Sequence, residues 1–236
     1  MRVLVLGHRG MLGHTVLKYL SSDISIDTVD FRWPSPEFKN YIKNYKGEFI
    51  VNCIGAIHQK TDMFDVNWEL PIFLDMHSSC RIIHPGTDCE IDDNNYGISK
   101  KIARDFIVNT SKRTKSIKTS IIGPEINTKS GLMSWFLSSE ESVKGFTNHR
   151  WNGNTTLTWA VYALDIMRNW DQFDKETVIC SDCISKYSLL HKIKEVFDKK
   201  TEIIPFESPN ETNRCLTGIY TQPIRDQLVK LKSFYD

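Results

Sequence analysis

A tyrosine and a lysine four positions apart, Tyr96 and Lys100, carry the clearest chemical signal in this sequence. They open a segment whose Ile102, Ala103, Phe106 and Ile107 have helical spacing. At i and i+4 both side chains leave the same helix face. An ammonium beside a phenol draws the phenol pKa down from about 10. Such a phenol can protonate a ketone oxygen while hydride arrives at the carbon. Taken alone, the pair also describes a surface tyrosine beside a solvated lysine. Its meaning rests on what else the chain carries.

A hydride source is written at the start of the chain. The apolar run Val3–Leu6 reads as a buried strand, and Gly7, Gly10 and Gly13 follow at even spacing. Leu12, Val16, Leu17 and Leu20 then mark a helix. Strand, glycine turn and helix make a dinucleotide entry, spaced GxxGxxG where the common fingerprint is GxGxxG. Glycines admit a pyrophosphate close to the backbone, and the helix N-terminus, with Met11 and Leu12, offers free N–H groups. Asp30 ends a second strand, Ile24–Asp30, where an acid can hold an adenosine ribose. Arg9 and Arg32 suit a 2′-phosphate instead. NADPH is the expected cofactor, and Asp30 leaves NADH open.

The elements that must position these groups follow in order. Phe38–Tyr45 reads as a short helix and Phe49–Ile54 as a third parallel strand. That strand runs through Asn52, Cys53 and Ile54 into Gly55, close enough to pass beneath a cofactor. Phe64–Ser78 is helical, with Pro71 kinking its first turn. Arg81–His84 is a fourth strand, and Ser116–Ile122 the next. Helices are expected at 132–137, 157–167, 188–197 and 222–235, and strands at 176–180 and 203–206. The segment 145–156, GFTNHRWNGNTT, reads equally as a sugar-gripping loop and as an irregular connection. The predicted class is α/β: a Rossmann-type doubly wound parallel sheet with a small C-terminal substrate-binding lobe. Residues 1–123 would form the NAD(P) domain, with about 155–185 returning to it, and 124–236 mainly the lobe.

With 236 residues, 40% of them apolar, the chain can bury a real core. A formal net charge of +1 gives no electrostatic case for nucleic acid or an anionic membrane. No apolar run nears the roughly 20 residues of a membrane span. The opening apolar run reads as a core strand, since no small-residue cleavage site follows it. Six scattered cysteines suggest reduced thiols in a cytoplasmic protein. Cys180 and Cys183 form a CxxC with no partner pair at zinc spacing, so no metal is expected.

Together, GHRGMLG at 7–13, VNCIGA at 51–56, Thr87 and YGISK at 96–100 resemble the extended short-chain dehydrogenase/reductases. Within that superfamily the chain is most similar to the dTDP-4-dehydrorhamnose reductase group and related nucleotide-sugar reductases. GTD at 86–88 resembles the group's Ser-Thr-Asp, and Asn67 in DVNWELP the asparagine of the helix after the cofactor strand. FTNHRWNGNTTL at 146–157 resembles a segment of sugar-nucleotide reductases of surface-polysaccharide pathways.

The resemblance implies roles. Thr87 would hydrogen-bond the substrate carbonyl, and Tyr96 would donate the proton. Lys100 would hold the nicotinamide ribose and depress the Tyr96 pKa. The glycines and Arg9 would meet the cofactor phosphates, and Asn67 would join the cofactor set. Trp135, Trp151, Asn152 and Arg214 are the substrate candidates.

Two departures stand out. Gly86 occupies a position where the group usually has serine, and the Thr87–Tyr96 stretch is short. The shortening removes the basis for a metal-assisted dimer, though a homodimer stays compatible. The implied activity is reduction of a 4-keto-6-deoxy nucleotide sugar, dTDP- or UDP-linked, in the cytoplasm. A nucleotide-sugar epimerase and a non-catalytic NADP-binding regulatory subunit are the alternatives.

Overall fold

The computed structural model describes residues 1–22 and 24–236. In chain order the first elements are β1 (Arg2–Leu6), α1 (Met11–Leu20), β2 (Ser25–Thr28), α2 (Pro36–Asn44), β3 (Phe49–Asn52) and α3 (Val66–His77). Next come β4 (Arg81–Gly86), a 3₁₀ turn (Asp88–Ile91), α4 (Asn95–Asn109) and β5 (Thr114–Lys118). There follow β6 (Ile121–Ile122), α5 (Leu132–Ser138), β7 (Val143–Phe146), β8 (His149–Trp151), β9 (Asn154–Thr155) and α6 (Thr156–Arg168). The chain closes with β10 (Glu176–Cys180), β11 (Ile184–Ser185), α7 (Lys186–Val196), β12 (Ile203–Phe206), β13 (Thr212–Arg214), β14 (Ile219–Tyr220) and α8 (Ile224–Tyr235).

The fold is α/β, with a central sheet ordered β14-β10-β5-β4-β3-β1-β2. The chain forms two compact units: residues 1–118 with 160–177, and residues 119–159 with 178–236. In the first unit β1 pairs in parallel with β2 and β3, β3 with β4, and β4 with β5. Alternate side chains of β1 point to opposite faces, and Val3, Leu4, Val5 and Leu6 are all fully buried. A strand apolar on both faces demands helices on both faces, the doubly wound arrangement. Leu4 and Leu6 pack with Phe38, Ile42, Leu70 and Leu74. Burying each such side chain contributes roughly 2 kcal/mol. From β1 the chain steps outward to β2, then returns to β3 on the other side of β1. That reversal makes a switch point, and a parallel sheet opens its crevice at the carboxyl ends of the strands there.

The second unit differs from expectation in two places. The strand predicted over 116–122 is two strands. It breaks at Thr119–Ser120 because the Ser120 carbonyl accepts from Asn154 N–H at 2.8 Å and β6 pairs with β9. The segment 145–156 is no loop: it supplies β7, β8 and β9, paired respectively with β12, with β11 and β13, and with β6. The core here gathers Trp151, Phe136, Leu189, Ile193, Ile224 and Leu228. Its cysteines also correct the expectation of free thiols throughout. Cys183 and Cys215 are disulfide-bonded, 32 residues apart in sequence. They flank β11 and β13, the two neighbours of β8, so strand pairing brings them together. Among the described residues no helix is long and apolar enough to cross a membrane.

Candidate active site

The glycine turn is built against backbone. Gly7 has φ +71°, a left-handed conformation that a side chain resists. A Cβ at Gly13 would stand 2.1 Å from the Gly7 carbonyl oxygen, and one at Gly7 2.9 Å from the Cys53 carbonyl. Gly10 donates its N–H to that same Gly7 oxygen at 2.9 Å. Gly10 is also the N-cap of α1, and no side chain caps the helix, so its first N–H groups face outward. A tight turn, a bare helix N-terminus and no side chains in the way are what a pyrophosphate needs. The cradle therefore fits a dinucleotide.

Asp30 lies two residues past β2. Its carboxylate takes Arg9 at 2.8 Å and faces His8 Nε2 at 3.6 Å. Arg9 and Asp30, which argued for different cofactors in the sequence, are thus partners. Both are exposed, and Arg32 is exposed beside them.

Asn52 ends β3 with its side chain fully buried. Its Oδ1 accepts Ile54 N–H at 3.1 Å, and its Nδ2 lies 3.2 Å from His84 Nδ1. Asn67, fully within α3, holds both backbone groups of Ala56, at 2.8 and 3.1 Å. Its Nδ2 also reaches Ser99 Oγ at 3.1 Å, and Ser99 donates to the Tyr96 carbonyl at 2.7 Å. So Asn67 shapes the Cys53–Ala56 loop and ties it to α4. Among the described residues its amide bonds Ala56 and Ser99.

α4 starts at an N-cap, Asn94, whose side chain accepts Gly97 N–H at 2.9 Å. Gly97 lets the 3₁₀ turn press against this start: a Cβ there would meet the Asp92 and Cys89 carbonyl oxygens at 2.5 and 2.6 Å. One turn on, Lys100 is buried and donates to the Pro85 carbonyl at 2.8 Å. Burial lowers its pKa to about 8 against the pull of Glu90 and Cys89. Tyr96 moves the other way. Burial raises its phenol, and a hydrogen bond with Thr87 opposes only part of that. The direction is opposite to the depression expected beside Lys100, and burial is its leading cause. The Tyr96 ring is flanked by His58 and Phe64, with centroids at 5.0 and 5.6 Å. Thr87 follows β4. Its Oγ1 donates to Asp88 at 3.0 Å and accepts Cys89 N–H at 3.3 Å.

Thr87, Tyr96, Lys100, the glycine turn, Asp30, the Asn52–Gly55 strand end and Asn67 all belong to the first unit. The four substrate candidates lie in the second. Trp135 is exposed on α5, and Arg214 is partly buried on β13. Trp151 is 1% exposed and sits in the core. Asn152 is also buried, with its amide donating to and accepting from Leu216, each at 2.8 Å. Trp151 and Asn152 therefore have structural work to do. Their place in an Asn-Trp-rich segment gave no sign of it, because burial comes from β8 lying between β11 and β13. Among the described residues no cluster of three or more His, Cys, Asp or Glu could hold a metal.

No protein-family model matches this chain, and no curated protein does. Solved structures do. dTDP-4-dehydrorhamnose reductase from Bacillus anthracis, in complex with NADP, aligns over 100% of this chain and 99% of its own at 13% identity, with a TM-score of 0.80. RMD from Pseudomonas aeruginosa, complexed with NADPH, aligns over 99% and 98% at 13% identity and 0.75. UDP-N-acetylglucosamine 4-epimerase from Bacillus cereus aligns over 98% and 95% at 15% identity and 0.68. From end to end, this chain has the fold these proteins share.

Proposed function

We propose that the protein is an NADPH-dependent oxidoreductase that reduces the 4-keto group of a 6-deoxy sugar carried on dTDP or UDP. The observation that carries this reading is that Thr87 follows β4 beside the start of α4, which carries Tyr96 and, one helical turn on, a buried Lys100. All three belong to the same unit as a glycine cradle shaped for a dinucleotide. Fold-sharing proteins that reduce such sugars, or that hold NADP or NADPH, support it.

The nicotinamide, when bound, supplies hydride to the sugar carbonyl carbon. The chain's residues do the rest. Thr87 turns its hydroxyl from Asp88 to the carbonyl oxygen and polarises it. Tyr96 gives its proton to that oxygen as negative charge grows there. Lys100 spends one N–H on Pro85 and keeps two for a ribose diol. The Arg9 guanidinium, already over Asp30, meets the 2′-phosphate. Trp135 and Arg214 remain the proposed sugar contacts. The reading puts the enzyme in the cytoplasm, with a nucleotide sugar as its partner, no nucleic acid, and a homodimer as a compatible assembly.

An epimerase would first have to oxidise the sugar, which calls for a phenolate. Among the fold-sharing proteins, the keto-sugar reductases favour the reductase reading. A regulatory subunit has no use for the assembled Thr87–Tyr96–Lys100 set. The test is NADPH consumption with dTDP- and UDP-4-keto-6-deoxyglucose, one NADPH per sugar, lost in Tyr96→Phe. Binding of NADPH without turnover over a panel of keto sugars would sink the proposal. Sugar interconversion without net NADPH loss would indicate the epimerase.

A further inference from the structure

Glu90 has no part in the chemistry above, yet its side chain is only 4% exposed. Oε1 accepts the Thr87 N–H at 3.1 Å, while Thr87 Oγ1 accepts Cys89 N–H at 3.3 Å. Together they close a capping box on the 3₁₀ turn. The other oxygen, Oε2, lies 2.6 Å from Lys118 Nζ at the end of β5. Space for this pair comes from Gly86, the register partner of Lys118. A Cβ at Gly86 would stand 3.1 Å from Lys118 Cα and 3.2 Å from Glu90 Oε1.

Gly86, Glu90 and Lys118 are therefore one construction, and it sits where the sequence departs from the reductase group. A missing side chain admits a carboxylate, and an ammonium neutralises it. Apolar side chains would fill the same space at no greater cost, since a buried ion pair rarely outperforms them in stability. What the carboxylate does that they could not is grip the backbone of Thr87.

We propose that Glu90, anchored by Lys118 and admitted by Gly86, is a positioning residue that sets the Thr87 hydroxyl at the substrate carbonyl. The role given to Thr87 rests on the reductase reading; the grip on its backbone does not. A second effect follows from charge. Lys100 faces His84 from β4, and Glu90 and Cys89 from the 3₁₀ turn, with Tyr96 on its own helix. Glu90 itself faces Lys118 from β5 and Glu176 from β10. Its charge supports the protonated form of Lys100, so neutralising Glu90 lets Lys100 deprotonate at lower pH.

The test measures Thr87 amide hydrogen exchange by NMR, and NADPH oxidation with dTDP-4-keto-6-deoxyglucose. Glu90→Ala should speed exchange at Thr87 about tenfold, the equivalent of one lost hydrogen bond. Its kcat should fall by a similar factor, with KM for NADPH unchanged. Glu90→Gln keeps the carbonyl acceptor, so it should restore Thr87 protection and most of kcat. Its alkaline limb should move to lower pH. Unchanged Thr87 exchange in Glu90→Ala would overturn the proposal. So would a loss of kcat that Glu90→Gln fails to rescue. If Glu90→Ala does not fold, Lys118→Met takes its place: faster Thr87 exchange supports the grip, and wild-type exchange overturns it. If the wild type oxidises NADPH with no keto sugar, the reductase reading falls, and the exchange rates still decide the grip.

Discussion

Two alanine substitutions three residues apart in one turn, at Gly10 and Gly13, separate a packed glycine from a merely convenient one. At Gly13 a methyl group would stand 2.1 Å from the Gly7 oxygen, 2.7 Å from the Gly7 carbonyl carbon and 3.0 Å from His8 Cα. An ordinary C···O contact is about 3.3 Å, so the Gly7 carbonyl must retreat by about 1 Å. All three obstacles are backbone, and Gly7 is already held at φ +71° beneath the Cys53 carbonyl. The retreat also strains the Gly10 N–H bond to Gly7, worth about 1 kcal/mol. Overpacking of this kind costs roughly 1–3 kcal/mol, so Gly13→Ala should destabilise the protein by about 2–4 kcal/mol. At Gly10 the same methyl meets only the Gly7 oxygen, at 3.3 Å. Gly10→Ala should then cost under about 1 kcal/mol. Urea denaturation of both variants reads the difference directly, and NADPH fluorescence titration shows whether cofactor binding falls with it. Equal stability of the two variants would refute the close-approach reasoning and leave the turn an ordinary connection.

Tyr96→Phe should cut turnover by roughly 10²–10⁴ while NADPH still binds, since only the proton donor is lost; a competing fluorescence titration checks the binding. Arg9→Ala should change stability by under about 1 kcal/mol, its Asp30 partner being exposed. It should weaken NADPH far more than NADH, and equal losses for the two would contradict the 2′-phosphate role. Lys100 sits at about 8 in the folded chain, below its unfolded value of about 10.4. The unfolded state therefore binds more protons between those values, and stability should rise with pH across that window by roughly 3 kcal/mol from this group. Lys100→Met should remove that rise, as seen by urea midpoints at pH 8 and 10. Asp75 is buried and accepts from the Ser111 and Thr114 hydroxyls. Asp75→Ala leaves those donors unpaired and should cost about 3 kcal/mol in the same assay.

The signals that were legible in the sequence are those written locally. Three glycines after an apolar run can serve few purposes, and both Gly7 and Gly13 prove to be crowded by backbone. The Tyr96–Lys100 spacing fixed a shared helix face, because α-helical geometry leaves no freedom in it. What stayed hidden depends on pairing between distant segments. Glu90 is an ordinary acid in a short stretch until β4 and β5 align Gly86 with Lys118. The bridge from Asn67 to Ser99 exists only once α3 and α4 pack. Trp151 and Asn152 read as surface recognition residues because aromatic and amide side chains serve binding and packing alike. The raised Tyr96 phenol was hidden for a related reason: spacing gives the face of a helix, while burial depends on what packs against it.

The first unit is assembled from two stretches of chain that are far apart in sequence. β5 receives its outer contacts from the later one: Ser116 N–H bonds the Lys175 carbonyl at 2.8 Å, and Lys115 Nζ bonds the Trp170 carbonyl at 2.6 Å. On α4, Arg104 waits for Glu176, 3.4 Å away in the finished protein. A fragment cut after residue 118 would hold every proposed cofactor and catalytic side chain and still present a raw sheet edge, the template on which strands from other molecules add. During synthesis the same holds in time. The glycine turn and Tyr96 leave the ribosome early, but the sheet that carries them is not sealed until some sixty residues later, so the nascent chain passes through a sticky interval that a chaperone, or an early-arriving cofactor, would be well placed to cover.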